Sequence, residues 1–152
     1  MTETKNVLIL KVALKMKKSV WRRIAIREDQ TLHALFHAIN EAFDWDFDHL
    51  YSFFITGVKN ASRKRIRESP RYSHPSCFEE PDFFDSGSFG QDASRTSIGS
   101  LELAPKMAFE YLFDFGDEWW HVITVERIEP ADPETRYPLL LESHGGSFDQ
   151  YS

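Results

Sequence analysis

The residues able to carry chemistry fall in three separated stretches: His33, His37, Asn40 and Asp44; then His49; then Asp114, Asp117 and His121. His33 and His37 stand one helical turn apart, a spacing at which two imidazoles can ligate one metal ion. Ala34 follows His33, so the glutamate that completes such a pair in metalloproteases is missing. Helical neighbours at this spacing also arise by chance, as two solvated histidines. Asp114 falls diagonal to His121 across a hairpin with a two-residue Gly116-Asp117 turn, about 7–8 Å between backbone positions. A carboxylate on an imidazole nitrogen sets the tautomer and raises basicity, which suits a general base or a metal-ligating histidine. Aspartates at such a turn equally serve as acceptors for its backbone N–H groups. His37, Asp114 and His121 are therefore the catalytic candidates, and His37, His49 and His121 the candidate ligands of a divalent metal.

Arg22 is the sharpest anomaly. It falls on the same strand face as Val20, Ile24 and Ile26, where a guanidinium cannot shed its charge. A buried arginine calls for a carboxylate, with Glu126 and Asp114 as the intramolecular candidates, or for an anionic ligand such as a phosphate. Arg22, Arg23, Trp45, Trp119 and Asp117 make up the candidate binding set, in which the indoles can stack on a base or sugar. Tryptophans are more often core, and Trp119 is the one expected on the polar face of its hairpin. Cys77 has no strong base beside it in sequence and is a weak nucleophile. The phosphate-cradling glycine-lysine loop, the dinucleotide glycine fingerprint, the serine nucleophile elbow and zinc-finger spacing are all absent. Glu118 and His121 are spaced as in helical di-iron sites but sit on an expected strand, where that geometry is lost.

The elements that must position these groups read off the periodicity. Val7 to Met16 alternates, with Leu8, Leu10, Val12, Leu14 and Met16 on one face and Lys11 and Lys15 on the other. Val20 to Ile26 resumes the alternation after Lys17-Lys18-Ser19, which predicts an antiparallel hairpin. From Thr31 the residues Leu32, Leu35, Phe36, Ile39 and Phe43 follow helical spacing, capped by Asp29 or Thr31. Leu50 to Ile55 is apolar on both faces and predicts an interior strand. Gly57 to Thr96 carries seven serines, three prolines and three glycines without a sustained period, a long polar loop insertion. Its basic residues Lys59, Arg63, Lys64, Arg65, Arg67 and Arg71 precede Glu79, Glu80, Asp82 and Asp85, blocks that can pair with each other.

Met107 to Phe115 and Glu118 to Ile128 form the last expected hairpin, with Phe109, Tyr111, Phe113 and Trp120 on its core face and Leu112 opposite His121. After Glu129, three prolines and Gly145-Gly146 predict an irregular end. The summed order is β-β-α-β-long loop-β-β. It predicts a single α+β domain over residues 1–152, a mixed or antiparallel sheet with one main helix packed on one face.

Composition narrows the classes of function. A chain of 152 residues with 41% hydrophobic residues can bury roughly two thirds of its unfolded surface. Its 18 basic and 24 acidic residues leave a formal charge of -6, which excludes a chain-wide cationic surface. Charge is nonetheless polarised: residues 1–71 hold 14 basic and 8 acidic residues, residues 72–152 hold 4 and 16. The two halves should attract each other across the fold. One cysteine cannot close an intramolecular disulfide and suits a reducing cytoplasm. The apolar run Val7 to Leu10 is far short of the roughly 20 residues of a membrane span, so no membrane partner is expected.

Three stretches, VALKMKKSVWRRIAI, TLHALFHAINEAFDWDFDHLYSFFI and FEYLFDFGDEWWHVITVERI, resemble in order and spacing the plasmid pRiA4b open-reading-frame-three-like family. The resembling positions are Trp21, Arg22 and Arg23, His37, Trp45 and His49, then Asp114, Gly116, Asp117, His121 and Glu126. Departures are the missing proline in the first turn, Asp44 where relatives carry glycine, and a C-terminal segment reduced to Tyr137-Pro138 and Gly145-Gly146. The resemblance implies the company of plasmids and mobile elements, with no reaction attached. Two functions remain. The leading one is a binding module that holds a partner protein or nucleic acid through the helix edge, Arg22-Arg23 and the basic half of the loop. The alternative is a metal-assisted hydrolase or related enzyme with His37, His49, Asp114 and His121 around one cleft.

Overall fold

In the computed structural model, which describes residues 5–79 and 88–146, the first alternating segment forms β1 (Asn6–Leu14) and the second β2 (Trp21–Arg27). They pair antiparallel, and Leu8, Leu10, Val12 and Leu14 join Val20, Ile24 and Ile26 in the main core. Helix α1 (Leu32–Phe43) closes that core with Leu32, Leu35, Phe36, Ile39 and Phe43, each worth roughly 1.5–3 kcal/mol when fully buried. Thr31 caps it, its hydroxyl accepting the Ala34 N–H at 3.1 Å, while Asp29 pairs with Arg27 instead. Asp44 ends the helix at φ 62°, a left-handed cap that leaves Asn40 and Glu41 carbonyls bonded to its own N–H. Strand β3 (Tyr51–Phe54) is buried on both faces.

The stretch 57–96 carries more structure than its composition suggests. It holds helix α2 (Arg63–Glu68), strands β4 (Arg71–Ser73) and β5 (Gln91–Asp92), and 3-10 turns at Pro75–Phe78 and Ala93–Arg95. Each element is too short to display a period, and α2 buries only Ile66. Of the acidic block, Glu80, Asp82 and Asp85 lie outside the described residues.

Strands β6 (Ala108–Phe113) and β7 (Trp119–Pro130) form the late hairpin, but residues 114–118 intervene where a two-residue turn was expected. Asp114 and Glu118 take left-handed conformations there, at φ 66° and 56°. The register consequently shifts by one residue, pairing Leu112 with Trp120 and Tyr111 with His121. Because side chains alternate, that shift exchanges faces: Trp119 and His121 turn to the core side and Trp120 to the opposite side. The end of the chain is also more regular than expected. Leu139–His144 forms β8, an edge strand on β2.

The eight strands make one open sheet in the order β5-β4-β3-β6-β7-β1-β2-β8, antiparallel except for the β4–β5 pair. The fold is α+β. Helix α1 covers one face. On the other, Phe54, Glu110, Val122, Ala13 and Trp21 stand in one row across β3, β6, β7, β1 and β2.

Candidate functional site

His121 belongs to the core. It is fully buried, donates from Nδ1 to the Tyr111 carbonyl at 3.2 Å, and accepts the Trp45 indole N–H on Nε2 at 3.0 Å. Both nitrogens are thus engaged, and burial holds the imidazole down at about 4, neutral. Trp45, 3% exposed, stacks on Phe43 and meets Trp119 at 5.1 Å, so both tryptophans expected to bind a partner pack against the core instead. Asp114 does not meet His121. Its Oδ1 accepts the Gly116 and Asp117 N–H groups, and its Oδ2 lies 3.6 Å from Nε2 of His49. His49 also donates from Nδ1 to Asp46 at 2.9 Å, and these carboxylates raise its pKa above the usual histidine value. Asp117 is exposed at the turn, bonded through its backbone.

Arg22 is on the core face as expected and 6% exposed, but the carboxylate is not there. Its Nε donates to the Ala42 carbonyl at 3.0 Å, and Nη1 donates to the carbonyls of Trp21 and His144 at 2.9 and 3.1 Å. Phe43 covers the guanidinium at 4.7 Å. The cation therefore stoppers the C-terminal end of α1, where carbonyls lack helical partners and the dipole favours positive charge. Glu126 pairs with the neighbouring Arg23 at 2.6 Å, and Glu142 pairs with it from β8.

His37 is exposed, with His33 at 5.0 Å and Phe47 stacked at 5.2 Å. His74 joins this pair at 5.3 Å from His33, and His33 shares a 2.7 Å hydrogen bond with the Tyr51 hydroxyl. Burial, and then mutual repulsion, lowers the pKa of His33, and burial lowers that of His74. His37, His49 and His121 thus have three separate sets of partners. Among the described residues no group of three or more His, Cys, Asp or Glu is placed to hold a metal ion. Cys77 is half-buried, which pushes its thiol up and disfavours thiolate.

A concavity lies on the sheet face that α1 leaves open. A hollow of about 920 Å³ has Phe54, Ile66, Leu112 and Trp120 as its apolar lining and Lys15, Arg63, Arg67 and Arg71 around them. A second, of about 430 Å³, is lined by Lys11, Lys18, Lys59 and Lys106 with Ala13, Val122 and Thr124. Lys11, Ala13 and Lys15 alternate onto the same side of the first hairpin, so the two hollows adjoin.

Acidic groups on this face are held by its own cations or indole. Glu110 is fully buried, with Oε1 accepting the Lys15 ammonium at 2.8 Å. That ammonium sits 5.4 Å from the Trp120 ring centre, and Glu118 accepts the Trp120 indole N–H at 3.3 Å. Glu126 is bound to Arg23, which lowers its pKa. Arg71 is a structural cation: it donates to Ser52 and to the Ser88 carbonyl, and Phe54, Phe89 and Phe115 surround it within 5.4 Å. Arg63 and Arg67 form no ion pair among the described residues. The alternation of β1 had placed Lys11 and Lys15 on this side. Trp120, expected on the core face, turns to this side because its face depends on the hairpin register.

Residues 6–147 match the family described as Plasmid pRiA4b ORF-3-like protein. The uncharacterized protein y4hQ of Sinorhizobium fredii (strain NBRC 101917 / NGR234) is 32% identical over 142 residues, 92% of this chain and 63% of that protein. The chain therefore spans less than two thirds of that relative's length. The crystal structure of the protein of unknown function MM3350 from Methanosarcina mazei Go1 matches with a TM-score of 0.70 at 23% identity, covering 93% of this chain and 71% of that one. That likeness is one of fold. With the match running from the first residue of β1 past the end of β8, this chain belongs to the plasmid pRiA4b ORF-3-like family.

Proposed function

We propose that the chain is a binding module, working in the cytoplasm, whose open sheet face holds an anionic partner. One observation carries this reading: eight lysines and arginines line two adjoining hollows on that face, against Glu118 and Glu126, in a protein whose formal charge is -6. Concentrating like charges raises the local potential and steers an anion to the face irrespective of the net charge. Of the cations first expected, Arg22 is spent on carbonyls and Arg23 on two glutamates, whereas Lys59, Arg63 and Arg67 from the basic half of the loop keep the binding role and are joined by Lys15 and the other lysines of the second hollow. No helix among the described residues is long and apolar enough to cross a membrane.

Titration with heparin at several salt concentrations tests the reading. Log K should fall linearly with log salt at a slope of roughly -3 or steeper, as about four released counterions require. Absence of binding, or a flat slope, would sink it.

A further inference from the structure

We infer that the anionic partner is single-stranded nucleic acid, lying along the open face with its bases on the apolar lining and its phosphates on the cations. The inference rests on the binding-module reading and names its ligand. The larger hollow is not uniformly cationic: Phe54, Leu112, Trp120 and Ile66 share its lining with Lys15, Arg63 and Arg67. A duplex hides its base faces and offers mainly phosphates, so it would leave that lining unmatched. An acidic polypeptide offers carboxylates without flat rings. A single strand presents unstacked rings and phosphates in alternation, which is the pattern this surface complements.

Local geometry agrees. Glu110 takes one donor of the Lys15 ammonium and fixes it beside the Trp120 ring, leaving two donors for a phosphate next to an aromatic surface. Glu118, on the Trp120 indole, supplies an acceptor for base N–H groups and repels phosphate from that side. The cations also recur linearly. Lys11 in the second hollow and Lys15 in the first are four residues apart on one side of the sheet, Lys15 one residue past the end of β1. Such an array fits a strand of several nucleotides better than one mononucleotide.

Fluorescence anisotropy with the full chain tests this. The probes are labelled oligothymidylate and oligouridylate of about 20 nucleotides, a duplex of the same length and, as competitors, inorganic polyphosphate and polyglutamate. At equal salt, one or both single strands should bind at least roughly tenfold tighter than the duplex, and whichever binds tighter identifies DNA or RNA. Trp120→Ala should weaken single-strand binding by about fivefold or more, the loss of one stacked base, with polyphosphate binding within about twofold of wild type. Polyphosphate binding also reports that the variant is folded. In the unaltered protein, a strand carrying 5-bromouracil should photo-cross-link to the peptide containing Trp120 or Phe54. Duplex binding as tight as the single strand, equal losses for oligonucleotide and polyphosphate, polyglutamate displacing the strand as well as polyphosphate does, or cross-links elsewhere only would each overturn the inference while leaving the binding module standing. Failure of every polyanion to bind would remove both.

Discussion

A histidine that looks catalytic in a sequence is withdrawn from acid–base work once both its nitrogens are bonded in a dry core, and His121 is such a case. Its depressed pKa has a thermodynamic consequence. The unfolded imidazole, near 6.5, takes up a proton before the native one, near 4, so stability present above pH 6.5 is lost as pH falls toward 4. The loss amounts to about 3 kcal/mol. His33 and His74 shift the same way, whereas the raised pKa of His49 adds stability at low pH that disappears as pH rises through its folded value. Urea denaturation between pH 7 and 4.5 should therefore show a falling midpoint, and His121→Gln should flatten most of that dependence. A midpoint indifferent to pH would contradict the neutral, buried imidazole. Arg22 illustrates how far residue types can be read. Strand alternation placed the guanidinium inside, but its partners are carbonyls 20 and 122 residues away, on α1 and β8. Arg22→Met should destabilise by about 1–3 kcal/mol, because those carbonyls would be left without a donor; an unchanged denaturation midpoint would refute the cap.

Elements with a sustained period or a run of apolar residues were legible, and the short polar elements of 57–96 were not. The strands β1 and β2 and helix α1 repeat their pattern often enough for a boundary error of a residue or two to do no harm. In the late hairpin one residue decided everything. Its turn spans residues 114–118 with Gly116 at the centre, while the left-handed positions at its two ends are the non-glycine residues Asp114 and Glu118, so Gly116 marked the turn but not where the strands stop. Asp44, at the end of α1, is another of the non-glycine residues held in the left-handed region. Asp44 is exposed at φ 62°, where a Cβ is strained and glycine is not. Asp44→Gly is therefore expected to stabilise the protein by up to about 1 kcal/mol, raising Tm by roughly 2–4 °C in a thermal melt. A lower Tm would mean that the carboxylate contributes more than its backbone costs.

Across the whole molecule, charge is sorted twice. The pairs Lys15–Glu110, Arg23–Glu126 and Arg23–Glu142 join the basic first half to the acidic second half, as the polarity of the chain led one to expect. Outside these pairs, Lys11, Lys18, Lys59, Arg63, Arg67 and Lys106 line the hollows on one side of the sheet. Position, not net charge, should then govern binding. Arg67→Glu and Lys106→Glu should each weaken heparin binding and lower the magnitude of the salt slope by about 1. Arg95→Glu changes the net charge equally but lies on the turn packed against α1, and should leave both unchanged. Equal effects of all three would indicate attraction by overall charge alone.

Alternation and helical spacing are local properties, carried by neighbours within a few residues, and they sufficed to specify an α+β chain, its main helix, its first hairpin and a charged residue inside the core. Which polar groups meet is a matter of register and strand order, set by contacts between residues far apart in the chain. That is why His121, Asp114 and Arg22 parted company on folding, and why a cationic hollow was assembled from β1, α2 and the loops beside them.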